Sequence, residues 1–241
     1  MLINERLSRL YDEWEKEHPG EQLKRHGLVD ENTYTSTSTK PRIVLLGKEL
    51  NCQGNPDFNL LEFLNCELEK GTKGNNFEWP VKQAGLWAYG LRTEFQEDYG
   101  KFDKFARNSN AALGLKGIGW ANLSKICGEG KASAEWKKRA CNQRKLTEKE
   151  LEIMNPQLIL CAGADTYGLV DELLELGLPQ LLLPKANHRR EINYSIWHLG
   201  SHECLCLDFY HHAARGGYKK YYEILNEVFD KCKKNGLCTW L

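Results

Sequence analysis

The sequence predicts an α/β fold: a three-layer α/β/α domain around a mainly parallel central sheet of four strands. Two observations carry this expectation. Residues 42–47 and 158–163 are continuous apolar runs closed by glycine, the pattern of strands buried on both faces. Between such runs lie stretches with apolar residues at helical spacing, and strands alternating with helices imply βαβ units. The chain has 241 residues and 41% hydrophobic residues, enough for one domain with a sizeable core. Residues 1–40 read as an N-terminal helix and a polar loop, and 41–241 as the α/β core.

Each element has its own reason. Leu2, Ile3, Leu7, Leu10, Tyr11 and Trp14 lie on one side of a helix over 2–17. Residues 30–40 are rich in Ser and Thr and form a loop. The apolar run 42–47 is the first core strand, and helices are expected over 57–70 and 80–95. Residues 117–123 form the second core strand. Helices over 132–143 and 147–154 lead to the third strand, which follows Asn155-Pro156. A helix over 167–176 comes next, and 180–184 and 194–199 read as a hairpin. Residues 203–210 are the fourth core strand, and an amphipathic helix over 218–233 follows a Gly-Gly pair.

Composition excludes several classes. The 7 Trp, 10 Tyr and 8 Phe are too many buriable side chains for a disordered chain. No apolar window is long enough to span a membrane, and residues 1–6 carry no secretory apolar segment, so a cytoplasmic protein is expected. The nine cysteines are irregularly spaced and include no Cys-x-x-Cys, which reads as reduced thiols. His198, His202, Cys204 and Cys206 invite a zinc reading. Cys204 and Cys206 share one face of a strand, however, so the expectation is a core position and no metal.

Ligands of open parallel sheets bind outside the carboxyl ends of the strands. The residues expected there are Gly47-Lys48-Glu49-Leu50-Asn51, then Asn122, then Gly163-Ala164-Asp165-Thr166, then Tyr210-His211-His212-Ala213-Ala214-Arg215. Taken singly, Glu49 reads as a solvated or capping carboxylate, Asn122 as a turn residue and His211 as a strand-end histidine. Together they put a carboxylate, an amide and an imidazole on one rim. That set suits cleavage of an N-glycosidic bond. A carboxylate stabilises an oxocarbenium-like sugar or positions water, an imidazole stabilises charge on a departing base, and an amide reads a base edge.

These motifs resemble the uracil-DNA glycosylase superfamily over roughly residues 42–230. Gly47-Lys48-Glu49-Leu50-Asn51 stands where the family has a Gly-Gln-Asp-Pro-Tyr type motif. Asn122 ends the second strand, as the family's Asn does, and Asn155-Pro156 enters the third. His211-His212-Ala213-Ala214-Arg215 is similar to the family's His-Pro-Ser motif. The resemblance implies Glu49 and His211 as catalytic residues, with Asn122, Asn51, Phe58 and Gly47 at the base. Phe58 is the expected stacking aromatic. Asn51 replaces the Tyr that blocks the base's 5-position in uracil-specific enzymes, so a 5-substituted pyrimidine is expected as readily as uracil.

The formal net charge of +0 excludes a tail-driven nucleic-acid binder but conceals asymmetry. Residues 1–35 are acidic, whereas 125–145 hold Lys125, Lys131, Lys137, Lys138, Arg139, Arg144 and Lys145 against two acids. Lys48, Arg189, Arg190, His212 and Arg215 are the expected contacts to DNA, duplex or single-stranded. The expected function is monofunctional DNA base excision, in repair or antiviral defence, by a monomer needing no metal or organic cofactor. A non-catalytic DNA-binding module and a nucleoside or nucleotide hydrolase are the alternatives.

Overall fold

Seven strands form one sheet in the order β1-β3-β2-β4-β7-β6-β5, from Gly27–Leu28 (β1), Ile43–Gly47 (β2), Ile118–Asn122 (β3), Leu158–Ala162 (β4), Leu181–Leu183 (β5), Ile192–Leu199 (β6) and His202–Phe209 (β7). The computed structural model describes residues 1–241 except 37–39, 53–54, 56, 74–76, 129–134, 164–165, 170–180, 184–191, 201 and 241, and gives backbone alone for 181–183. β3, β2, β4 and β7 pair in parallel, whereas β1, β6 and β5 pair antiparallel to their neighbours. The sheet is therefore mixed and wider than the four strands expected. β1 has two residues, too few to show a period of two, and the β5–β6 hairpin joins the same sheet beside β7.

Helices cover both faces. Ile43, Leu45, Trp120, Leu160, Leu207 and Phe209 point to one core, and Val44, Leu46, Ala121, Ile159, Cys161 and Cys206 to the other. On the first side lie α3 (Leu60–Thr72), α4 (Trp79–Arg92), α5 (Lys104–Lys116) and, after α6 (Trp136–Asn142) and α7 (Arg144–Met154), the C-terminal α8 (Tyr218–Lys234). On the second lie α1 (Ile3–Glu17), the short α2 (Glu31–Thr35), α6 and α7. Cys204 and Cys206 are buried in this second core beside Cys161. The helix expected over 167–176 falls mostly outside the described residues.

α5 has no counterpart in the sequence reading, for a physical reason. Its buried face is Asn108, Asn110, Ala111, Ala112, Gly114 and Leu115, which carries almost no large apolar periodicity. It packs by backbone approach instead. A Cβ on Gly114 would stand 1.9 Å from the Gly85 carbonyl oxygen, and one on Gly85 would stand 2.3 Å from that of Ala111. Asp103 caps the helix, its side chain accepting from the Ala106 N–H.

The cysteines correct another expectation. Cys52 and Cys127 form a disulfide across a separation of 75 residues. Because β2 and β3 are parallel neighbours, the segments leaving them run side by side and bring the two Cα atoms to 5.6 Å. Reduction should lower stability by up to roughly 4 kcal/mol through the freed loop entropy, read as a shift in the denaturation midpoint with and without reductant.

Candidate functional site

Parallel β2, β3 and β7 end on one edge of the sheet, and the residues that follow them surround one pocket of about 370 Å³. Its lining includes Lys48, Glu49, Asn51, Asn122, His211 and His212, so sequence order and sheet topology gather these expected residues in one place. Trp120, Pro80 and Gly128 complete the walls and were not anticipated. Pro80 comes from the first turn of α4.

The segments after β2 and β3 are held rigidly. The ladder continues past the strands, with Leu123 N–H donating to the Gly47 carbonyl, Ser124 N–H to Lys48 and Gly128 N–H to Leu50. The Cys52–Cys127 disulfide and a bridge between Asn51 and Gly128 close the end of this extension. The pocket's carboxylate thus sits on fixed backbone.

Glu49 is 94% buried at its side chain and its Oε2 accepts from Arg139 Nη2 at 2.7 Å, while Oε1 has no hydrogen-bond partner among the described residues. Gly128 explains the fit: a Cβ there would stand 2.1 Å from Oε1. The carboxylate therefore has one oxygen anchored and one available.

His211 sits at the exposed lip, in the turn after β7. Its Nδ1 accepts from the Ala213 N–H at 3.0 Å. An accepting Nδ1 carries no proton, so the neutral ring holds its proton on Nε2 as a donor. Burial against the pocket wall, then the Lys48 ammonium, hold this imidazole below its ordinary range. His212 stacks on His211 at 4.3 Å and meets the edge of Trp120 at 4.8 Å. Burial, then His211, push it well below the ordinary imidazole range, and α4's Gln83 donates to its carbonyl at 2.8 Å. His212 is a packed wall residue, which corrects its assignment as a DNA contact.

Asn122 is 3% exposed at the pocket's floor, and its amide lies 3.2 Å from the buried His26. Gly47 does not line the cavity; it makes room for this amide. A Cβ on Gly47 would stand 2.3 Å from Asn122 Oδ1. Gly47→Ala should cost about 1–3 kcal/mol by overpacking, measured by chemical denaturation, because neither the amide nor the strand has space to yield.

The remaining assignments divide. Phe58 lines an adjoining cavity of about 500 Å³ with Phe63, Leu60 and Val81, outside the pocket that holds Glu49, which corrects its place as a stacking platform there. The two cavities share Leu50, Asn51, Pro80, Trp120 and His212. Lys48 places its ammonium 5.3 Å from the Trp136 ring centre. Arg215 is exposed on the turn before α8, away from the lining. Arg189 and Arg190 lie outside the described residues.

The basic stretch over 125–145 is less free than it reads. Lys125 is fully buried and paired with Glu150, Arg139 holds Glu49, and Arg144 pairs with Glu148 at 2.8 Å. A charge run counted along the chain does not reveal acids supplied by other elements. Among the described residues, no group of three His, Cys, Asp or Glu is placed to hold a metal, and no helix is long and apolar enough to cross a membrane. No family model matches the chain, and no curated protein matches it in sequence.

Proposed function

We propose that the protein is a monofunctional DNA glycosylase that hydrolyses the N-glycosidic bond of a flipped uracil or 5-substituted pyrimidine. One observation carries the reading: a carboxylate, an amide and an imidazole line one pocket of about 370 Å³ at the carboxyl edge of the parallel strands. Such a pocket suits a single base taken out of the stack.

Glu49 Oε1 stabilises the oxocarbenium-like sugar and orients water, while Arg139 keeps the carboxylate in place. Water adds to C1′ as the C1′–N bond breaks and its electrons pass to the base. His211 Nε2–H donates to the base oxygen on which that charge collects, and Asn122 reads the base edge. No metal or organic cofactor enters the step. Lys48 at the pocket mouth and Arg215 on the neighbouring turn suit phosphates either side of a flipped nucleotide.

The adjoining cavity of about 500 Å³ supports a substituted base. Only side chains of the shared wall separate it from the pocket, and the small Asn51 stands at that boundary. A monomer acting on modified bases in DNA, in repair or antiviral defence, suits this geometry. The Glu49–Arg139 ion pair is the one feature favouring a DNA-binding module without catalysis, since it engages half of the carboxylate.

Duplex and single-stranded oligonucleotides carrying uracil, 5-hydroxymethylcytosine or glucosylated cytosine test the proposal. Alkali after incubation should cleave at least one of them at the modified position. Strands intact in every case would overturn it, and salt-sensitive binding without cleavage would select the non-catalytic module.

A further inference from the structure

Behind the pocket floor lies a group of ionisable side chains that the proposed chemistry does not use. His26 is 2% exposed, and the side chains of Glu150 and Lys125 are 0% exposed. Lys125 Nζ donates to Glu150 Oε2 and to the Asn122 carbonyl, and Tyr11 O–H donates to Glu150 Oε1 at 2.7 Å. His26 faces Asn122 twice. The Asn122 backbone N–H donates to His26 Nδ1 at 3.3 Å, and the side-chain amide lies 3.2 Å from His26 Nε2. Water is excluded from all of these atoms, so each has to satisfy the next.

We infer that His26 is a positioning residue that turns the Asn122 amide so that its NH₂ end faces the pocket. The chain of reasoning is one of proton counting. A backbone N–H can only donate, so Nδ1 is the accepting nitrogen of the ring. Burial keeps the imidazole below its ordinary range and hence neutral, so its one proton sits on Nε2. Nε2–H then faces the amide, and only the amide oxygen accepts. The two ends of a carboxamide have the same shape, so this network decides which end meets His26. The other end lies over Gly47, where glycine alone leaves space for it. A ligand at the floor therefore meets an N–H donor and offers it an acceptor, such as a carbonyl oxygen or a ring nitrogen of a pyrimidine.

The opposite tautomer has a clear structural cost. A proton on Nδ1 would point two N–H groups at each other, from His26 and from the Asn122 backbone, in a site closed to water. The Lys125–Glu150 pair holds the Asn122 carbonyl from the other side, so the strand end cannot shift to relieve that conflict.

The ligand assignment rests on the proposed base-excision function, whereas the tautomer does not, and the tests separate them. In ¹⁵N-labelled intact protein at pH 7, long-range ¹H–¹⁵N correlation spectra should show His26 protonated on Nε2 alone. A proton on Nδ1, or an imidazolium, overturns the inference whatever the protein does to DNA. In single-turnover excision, His26→Gln keeps a donor toward Asn122 and should stay within about tenfold of the wild type. His26→Phe should lose at least 100-fold, with the same thermal midpoint as His26→Gln. Equal rates for two folded variants overturn the positioning role. If the wild type releases no base at all, the proposed function fails and the spectrum alone decides the inference.

Discussion

Glu49→Gln should reduce single-turnover base release by about 10²–10⁴-fold while leaving the fold intact. The substitution removes one negative charge and almost no volume. Its amide oxygen still accepts from Arg139, whose side chain remains 23% exposed and so partly solvated. What disappears is the charge on the oxygen that has no protein partner, the one available to a cationic sugar or to water. A positively charged transition state is stabilised far more by a carboxylate than by an amide in a site of low dielectric. The check is release of free base under enzyme excess, alongside a denaturation curve. A folded Glu49→Gln protein with the wild-type rate would remove the carboxylate from the chemistry. His211→Ala is a companion, since it deletes the Nε2–H donor without disturbing the core.

The parts of this site that could be read from the chain are those that follow buried strands. β2 and β4 appear as unbroken apolar runs because helices cover both faces, and the position of a parallel strand's end is then readable to within a residue. Glu49, Asn122 and His211 were visible for that reason. His26 was not, because it lies in an aperiodic stretch before a two-residue strand and meets Asn122 across 96 positions. Lys125 was misread as part of a solvated basic face, since Glu150 reaches it only through the packing of α7 against α1 and the sheet. Phe58 follows the β2 motif closely, yet the chain turns it toward Phe63 and the α3 side of the shared wall. Nearness in sequence carries no information about the direction in which a loop side chain leaves the backbone.

Lys125→Met should destabilise the protein by about 3–5 kcal/mol, the largest stability effect expected of any single substitution. The pair is wholly buried, so the loss comes from stranding Glu150 rather than from the attraction itself. The double variant Lys125→Met/Glu150→Leu should recover more than half of that loss, because it removes both charges from the core. Acid separates the two components. Burial alone would raise the Glu150 carboxyl, but Lys125 and His26 more than offset it and hold the group at about 2. A carboxyl depressed in the folded state adds stability above its unfolded value of about 4.3, and that stability disappears as pH falls toward 2. The buried imidazoles of His26 and His212 begin the decline earlier, since the unfolded chain takes up protons near pH 6.5 that the folded one refuses. That histidine contribution is common to the wild type and Lys125→Met. Between pH 4.5 and 2 they should differ, with the wild type losing stability steeply and Lys125→Met losing little. Parallel urea midpoints across that window would show that the Lys125–Glu150 pair does not hold the carboxyl ionised.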